Sequence, residues 1–489
     1  MRADTILVID AGTSGMRAVA VTATGEVEVV ASVPWRMLVP EDAAPFGREF
    51  HPADVASTLG TLLAAAETKR DRIAGIAVTG QREGIALLDE SGEALFASPN
   101  IDARASAEGI AIDAEHADEV YAVTGHLPSL MQVPAKLAWL RQHRPAIAER
   151  VRHVLPLVDW IATLLGSGPA ISRSLAAENG LLDVRSGEGA SDFLIRLDVP
   201  SALIAKIVPD GSTAGEVKDG GIAGLPVVLA GADTQCALVG MGAIDPPAVG
   251  LAAGWSAPLQ MVTDGPVFDC ERRTWTSVHV VSARPILESN AGEAGRAWEW
   301  ICSIMALSPE EAMALAATAP PGSHDAMAVL GARAMRASEM TAGVGALTLP
   351  LPLVMSAPDR GDVLRSVLEA AAYAVRANLE QLEVVSGVRV ERLHVGGGMS
   401  RTTMFPQMIA DVIDRPVSLA RSPHTSAAGA AILASIAVGL HPSIESATAE
   451  MAAPRRTLVP ELTASVEYED GYARWCALTD AIASLGAQF

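Results

Sequence analysis

The run Thr5-Ile-Leu-Val-Ile-Asp10-Ala-Gly12-Thr13-Ser14-Gly15-Met-Arg17-Ala-Val-Ala-Val-Thr22 sets two apolar stretches on either side of a short polar turn. Thr5–Asp10 reads as a strand, Ala11–Gly15 as a tight turn and Met16–Thr22 as a second strand. Val27–Ser32 reads as a third, after the Thr24-Gly25 turn. A shorter echo comes half a chain later, where Ala248–Ala253 is strand-like, Gly254-Trp255-Ser256 is a turn and Ala257–Val262 resumes extended structure. Two strand–turn–strand units at that separation imply an α/β protein with a duplicated domain.

Between these units, Ile73–Thr79 and Val227–Ala230 read as buried strands, each followed by polar residues that a parallel sheet presents at its carboxyl edge. Leu364, Leu368, Ala371, Val375, Leu379 and Leu382 recur at three- and four-residue steps, predicting a long amphipathic helix over 362–385. The strand 392–395 then meets Gly396-Gly397-Gly398, followed by a helix with Phe405, Met408, Ile409 and Val412 on one face. A domain boundary is expected near residue 245, where Asp245-Pro246-Pro247 interrupts two apolar segments, and Ala317–Ser323 reads as a loop.

Bulk properties narrow the function. A chain of 489 residues exceeds a single ordinary core, which stops growing at roughly 250–300 residues, so two domains are expected. Half the residues are hydrophobic and 19% are charged, a balance that argues against disorder. Thirty-six basic against 57 acidic residues give a net charge of −21, and no basic run offers a footprint for nucleic acid. Cys236, Cys270, Cys302 and Cys476 are too irregularly spaced for a zinc site and read as reduced thiols. With no basic-then-apolar leader after Met1, and with Ala427–Leu440 too short to span a bilayer, the expectation is a cytoplasmic protein without membrane partners.

Three polar turns stand out. In Asp10-Ala-Gly12-Thr13-Ser14-Gly15-Met-Arg17, glycines allow close backbone approach to a phosphate and hydroxyls can donate to it, although a hairpin turn capped by Asp10 has the same pattern. Gly80-Gln81-Arg82-Glu83-Gly84 sets a guanidinium and a carboxylate at a strand end, suited to charged hydrogen bonds with vicinal hydroxyls or to a surface ion pair. In Gly231-Ala232-Asp233-Thr234-Gln235, Asp233 reads as a general base or as a helix N-cap.

Taken in order with Gly254-Trp255-Ser256, Gly396-Gly397-Gly398-Met-Ser400 and Ala428-Gly429-Ala430-Ala431, these segments resemble the FGGY family of carbohydrate kinases. The resemblance runs from Thr5 to about Leu440. It implies two actin-like (ribonuclease H-like) ATPase domains, 1–245 and 246–489, with a cleft between them. It implies ATP and Mg2+ as cofactors, the metal held through water by Asp10. The phosphates would meet Gly12, Thr13, Ser14, Arg17, Gly254 and Ser256, and the adenosine Gly396, Gly397 and Gly398. A small sugar or polyol would meet Gln81, Arg82, Glu83, Asn100 and Asp102, with Asp233 accepting its proton. A homodimer is compatible with this reading.

Within the family the nearer likeness is to autoinducer-2 kinases, carried by Arg82-Glu83-Gly84-Ile85, Asn100-Ile-Asp102-Ala-Arg104-Ala105, Val120-Tyr121-Ala-Val-Thr124-Gly125, Asp159-Trp160 and Gly180-Leu-Leu-Asp183. The chain also departs from the family pattern. Trp255 stands where a small hydroxyl residue is usual, His424 where Glu is common, Thr234 where Asn or Gln is common, and Ser172 and Leu175 where Asp and Asn are usual. A pentulose kinase of the xylulokinase type and a catalytically weak ligand sensor on the same fold are the alternatives.

Overall fold

Thr5–Ala11 (β1), all seven residues buried, forms a central strand because its side chains are apolar on both faces. Leu7, Ile9 and Ala11 pack into one core while Ile6 and Val8 pack into another, the two-residue period of a strand covered on both sides. The computed structural model describes residues 3–281, 284–338, 343–351 and 357–486.

β1 pairs antiparallel with β2 (Gly15–Thr22), which pairs antiparallel with β3 (Val27–Pro34), completing the meander expected from the opening residues. On its other side β1 runs parallel to β4 (Ile73–Gly80), and β4 parallel to β6 (Pro226–Ala232), with β5 (Ser212–Glu216) antiparallel at the edge. The six-stranded order is β5-β6-β4-β1-β2-β3. One face is covered by Val55, Leu59 and Leu62 of the helix Pro52–Ala66 and by Val158 and Ile161 of Leu157–Leu165. The other face meets Ala427, Ala430, Ala431 and Ala434 of the helix Thr425–Ala437.

That last helix belongs to the first of two compact units, formed by Met1–Ile244, Val262–Ile286 and His424–Ala453. The chain first leaves this unit between Ile244 and Asp245 and then returns twice, so the units are not the two contiguous halves 1–245 and 246–489. At the second return the chain packs closely through glycine. A Cβ on Gly429 would lie 1.8 Å from the Cys236 carbonyl oxygen, and one on Gly240 would lie 2.1 Å from that of Thr425. Only glycine lets the helices Thr425–Ala437 and Asp233–Gly240 approach this closely.

The second unit comprises Asp245–Met261, Leu287–Pro423 and Pro454–Phe489. Its sheet places β7 (Val249–Ala252), β8 (Pro258–Val262), β9 (Pro285–Asn290), β10 (Leu393–Gly396), β11 (Val417–Leu419) and β12 (Arg456–Leu458) in the order β9-β8-β7-β10-β11-β12. The antiparallel β7–β8 pair beside the parallel β7–β10 pair repeats the arrangement of β1 with β2 and β4. The predicted long helix extends over Arg360–Ser386. It starts at an Asp359/Asp362 capping box, stops at Gly387 in the left-handed region, and buries all six leucine, alanine and valine positions of the stripe. The four cysteines are free thiols. No helix among the described residues is long and apolar enough to cross a membrane.

Candidate active site

β1, β4 and β6 run parallel, so their carboxyl ends come together. Ala11 is paired with Gly80, and Gly80 with Ala232, which sets Gly12, Gln81 and Asp233 side by side at one edge. Close approach is built in: a Cβ on Gly80 would lie 2.3 Å from the Ala11 carbonyl oxygen. In β6 the register shifts between Leu229 and Gly231, where Gly231 takes φ +89°. The Thr79 hydroxyl donates to the Gly231 carbonyl at 2.8 Å and holds this irregularity against β4.

The turn after β1 is fixed from three directions. Trp35 Nε1 donates to the Gly12 carbonyl at 2.7 Å, Gln81 Nε2 donates to the same carbonyl at 3.2 Å, and Asn100 Nδ2 donates to Thr13 Oγ1 at 3.0 Å. Gln81 Oε1 accepts the Asn100 N–H at 2.7 Å. Gln81 and Asn100, expected to contact the acceptor, therefore spend these polar atoms on shaping the turn. Ser14 is exposed, and Arg17 Nη2 pairs with Asp10 Oδ2 at 2.6 Å.

Asp233 is the first residue of the helix Asp233–Gly240, after Ala232 in extended geometry. Its carboxyl is half-buried and accepts from Thr234 Oγ1 at 3.0 Å. Burial, reinforced by the neighbouring Asp10 carboxylate and opposed by Arg82, raises its pKa to about 6. Ala232 is the N-cap and no side chain caps this helix, so the N-cap alternative open to Asp233 from the sequence is not met.

Arg82 and Glu83 follow β4, and Glu83 takes φ +62°, a left-handed conformation that non-glycine residues adopt at a cost. Lys136, buried on the helix Val133–His143, donates from Nζ to the Glu83 carbonyl at 2.5 Å and stabilises this turn. Burial raises the Glu83 pKa, with Arg82 as the largest opposing charge. Arg82 Nη1 lies 3.2 Å from Glu178 Oε2, and its guanidinium carbon lies 5.8 Å from the Trp275 ring centroid.

Asp102 is placed differently from the expectation of acceptor contact. It is fully buried, accepts from Arg104 Nε at 2.8 and 2.9 Å, and takes the Arg48 N–H at 2.9 Å. Arg104 lies 4.9 Å from both the Phe96 and Trp139 rings and reaches Glu49 at 2.5 Å. Asp102 is therefore committed to a buried ion cluster. Among the expected departures, Ser172 gives its hydroxyl to Asp159 at 2.8 Å, while Leu175 is fully buried.

Residues missed from the sequence include His126, Lys136, Glu178, Gln235, Trp275 and Ser277. Glu178 is the most legible of them in retrospect, a lone carboxylate in the otherwise small and apolar run Leu175-Ala-Ala-Glu178-Asn-Gly-Leu-Leu182.

A second cluster lies wholly within the second unit. Ala253 N–H donates to the Gly396 carbonyl at 2.9 Å and Met399 N–H to the Ala253 carbonyl at 3.0 Å, binding the loop after β7 to the glycine turn after β10. Gly397, at φ +92°, has no room for a Cβ, which would meet the Ala253 carbonyl oxygen at 2.6 Å. Gly254 and Ser256 border Trp255, which is 46% exposed and donates from Nε1 to Glu299 at 2.8 Å. The one side-chain donor that Trp255 brings to this loop, its indole N–H, is thus committed to Glu299.

Residues 5–240 match the N-terminal domain of the FGGY family of carbohydrate kinases, and residues 293–438 match its C-terminal domain. The chain belongs to the FGGY family of carbohydrate kinases. An autoinducer-2 kinase from Salmonella paratyphi A is 26% identical over 97% of this chain and 93% of its own length. A xylulose kinase from Rhodospirillum rubrum is 26% identical, superimposes with a TM-score of 0.82 and covers 99% of this chain with 100% of its own. A ligand-bound xylulose kinase from Lactobacillus acidophilus shares the fold at 18% identity, with a TM-score of 0.87 over 99% of both chains. The FGGY kinase is thus an ATP-dependent enzyme with two domains of the actin-like ATPase type. ATP is used as its Mg2+ complex. Among the described residues no three His, Cys, Asp or Glu side chains converge as a metal cage. The donor set at this edge, Asp10 with Asp233 nearby, suits Mg2+, which is held by one or two carboxylates, waters and phosphates.

Proposed function

We propose that this kinase transfers the γ-phosphoryl group of ATP to a hydroxyl of a small sugar, polyol or autoinducer-2-like acceptor. The observation that carries the reading is the meeting of Asp10, Arg82 and Asp233 at the carboxyl ends of three parallel strands, with the Asp233 pKa near 6. The acceptor oxygen bonds to the γ-phosphorus as its proton passes to the Asp233 carboxylate, and the bond from the γ-phosphorus to the bridging oxygen breaks to release ADP. Mg2+ supplies charge neutralisation on the phosphates. Asp10 is assigned to its water shell, and Gly12, Thr13, Ser14 and Arg17 to the phosphates. Gly254 and Ser256 are likewise assigned to phosphate, and Gly396, Gly397 and Gly398 to adenosine.

Arg82 and Glu83 read the acceptor hydroxyls. This assignment is supported by the strained, buttressed turn that carries them, since backbone strain concentrates at functional sites. Asn100 acts at one remove by holding the turn after β1 through Thr13 and Gln81, and Asp102 belongs to the Arg104 ion cluster. The autoinducer-2 class is favoured by the 26% identical relatives of that name, and a pentulose by the equally similar xylulose kinase. The reaction is assigned to the cytoplasm, where ATP is made and used.

Two measurements test this. A coupled ADP-release screen over pentuloses, hexuloses, glycerol, erythritol and the linear autoinducer-2 precursor identifies the acceptor, and turnover with none of them removes the proposal. Isothermal titration of Glu83→Ala should show a roughly five- to 150-fold loss of acceptor affinity, the cost of an unpaired buried polar group. Affinity for an ATP analogue should be unchanged. Equal losses for both ligands, or none for either, refute the assignment.

A further inference from the structure

Glu178 ends the short helix Arg173–Glu178 at 1% exposure, and phosphoryl transfer as described assigns it no task. Its Oε1 accepts from Gln235 Nε2 at 2.5 Å and from Ser277 Oγ at 2.6 Å. Its Oε2 lies 3.2 Å from Arg82 Nη1 and 3.5 Å from His126 Nε2. These four groups come from four separate places: the turn after β4, the segment beyond the helix Ser106–Thr124, the Asp233 helix, and the strand Trp275–Val278. Burial opposes ionisation of Glu178, yet the Arg82 and His126 charges and the donated hydrogen bonds hold its pKa below the ordinary value. It is an ionised hub with both oxygens occupied.

A buried hub of this kind can serve only to tie segments together. Three features of its surroundings point further. Arg82 directly precedes Glu83, and Gln235 lies two residues after Asp233 on the same helix. Arg82 also lowers the pKa of both Glu83 and Asp233, so those carboxylates compete for its charge. The Gln235 Oε1 atom is buried without a hydrogen-bond partner among the described residues, as expected of a network that another polar group completes.

We propose that Glu178 is a positioning residue for acceptor recognition. It holds the Arg82 guanidinium and the Gln235 amide in the pose in which acceptor hydroxyls meet them, and it keeps Arg82 from collapsing onto Asp233. The inference rests on the reading of Arg82 as an acceptor contact and deepens it. Losing the Glu178 charge turns Arg82 toward Glu83 and Asp233, and the acceptor must then displace an internal ion pair before it binds.

The test compares Glu178→Gln, Glu178→Asp and Arg82→Gln in steady-state kinetics, with thermal melts confirming that each folds. Glu178→Gln keeps the volume and removes the charge. Its acceptor KM should rise roughly ten- to a hundredfold, as for the loss of a charged hydrogen-bond partner, while its ATP KM stays within about twofold. Glu178→Asp keeps the charge and should recover most of that loss. Equal acceptor KM values for the Gln and Asp variants would make the effect one of packing and overturn the proposal, as would a Gln variant with unchanged acceptor KM. Arg82→Gln separates the two claims: if it leaves acceptor KM unchanged, the acceptor reading of Arg82 fails, whereas a raised KM there with an unaffected Glu178→Gln sinks the positioning role alone. If Glu178→Gln does not fold, the double variant Arg82→Gln/Glu178→Gln removes both charges and is compared with Arg82→Gln. Less than about twofold additional loss in acceptor KM is expected from coupled residues, and a further tenfold loss refutes the coupling.

Discussion

Replacing Asp233 by Asn should make the protein more stable and nearly inactive, and the two effects have one physical source. The carboxyl titrates near 6 in the fold against an ordinary 3.8, because burial and the Asp10 carboxylate disfavour its charged form. A folded pKa raised above the unfolded value means that the native state binds the proton more tightly, so ionisation at neutral pH costs stability. The cost is full above pH 6, fades as pH falls through 6 toward 3.8, and vanishes below it. Two pKa units correspond to at most about 3 kcal/mol, reduced by whatever solvent reaches this half-buried group. Asn removes that cost, so urea denaturation at pH 7.5 should find the variant more stable by about 1–3 kcal/mol, with the gap closing toward pH 4. Turnover should fall roughly 10²–10⁴-fold, the usual contribution of a general base, with ATP and acceptor affinities retained. In the wild type, kcat/KM for the acceptor should decline about tenfold per pH unit below 6, because only the ionised carboxylate accepts the proton. A variant that keeps more than about a third of wild-type kcat removes Asp233 from catalysis. A stability gap that does not change with pH removes the electrostatic account.

Asp102→Ala should act on folding and leave acceptor affinity in the surviving folded fraction near wild type. It removes one of the two carboxylates around the buried Arg104 and leaves Glu49, so the cost should fall below the roughly 3–5 kcal/mol of a fully broken buried pair; a raised acceptor KM in a variant of native stability would return Asp102 to the ligand. Asp10→Ala should raise the magnesium concentration required for half-maximal rate and be partly relieved by added magnesium. A rise in acceptor KM alone would show that the turn after β1 faces the wrong ligand.

The residues legible from sequence are those whose placement follows from the strand they end. Asp10, Glu83 and Asp233 each sit just past a run of apolar residues, and parallel pairing of β1, β4 and β6 brings those ends to one edge. Their convergence is a property of topology, whereas grouping them from the sequence rested on the resemblance to the kinase family, because each turn taken alone also had a purely structural reading. Asp102 was misplaced because a carboxylate two residues from an arginine has the same local pattern whether it faces a hydroxyl or closes on Arg104. Only the packing of Phe96 and Trp139 around that guanidinium decides it. The helix Thr425–Ala437 shows the same limit at the scale of a domain. Its run Ala428-Gly429-Ala430-Ala431 is small enough for a close contact, but nothing local says that the partner is the Asp233 helix, nearly two hundred residues earlier in the chain. That return has a functional consequence. Gly429 and Gly240 set the close approach of the helix that begins with Asp233, while Glu178 holds Gln235 two residues along it, so Asp233 is positioned by a backbone contact and a buried charge together. Neither constraint is local in sequence, which is why Asp233 could be singled out from its strand while the contacts that position it could not.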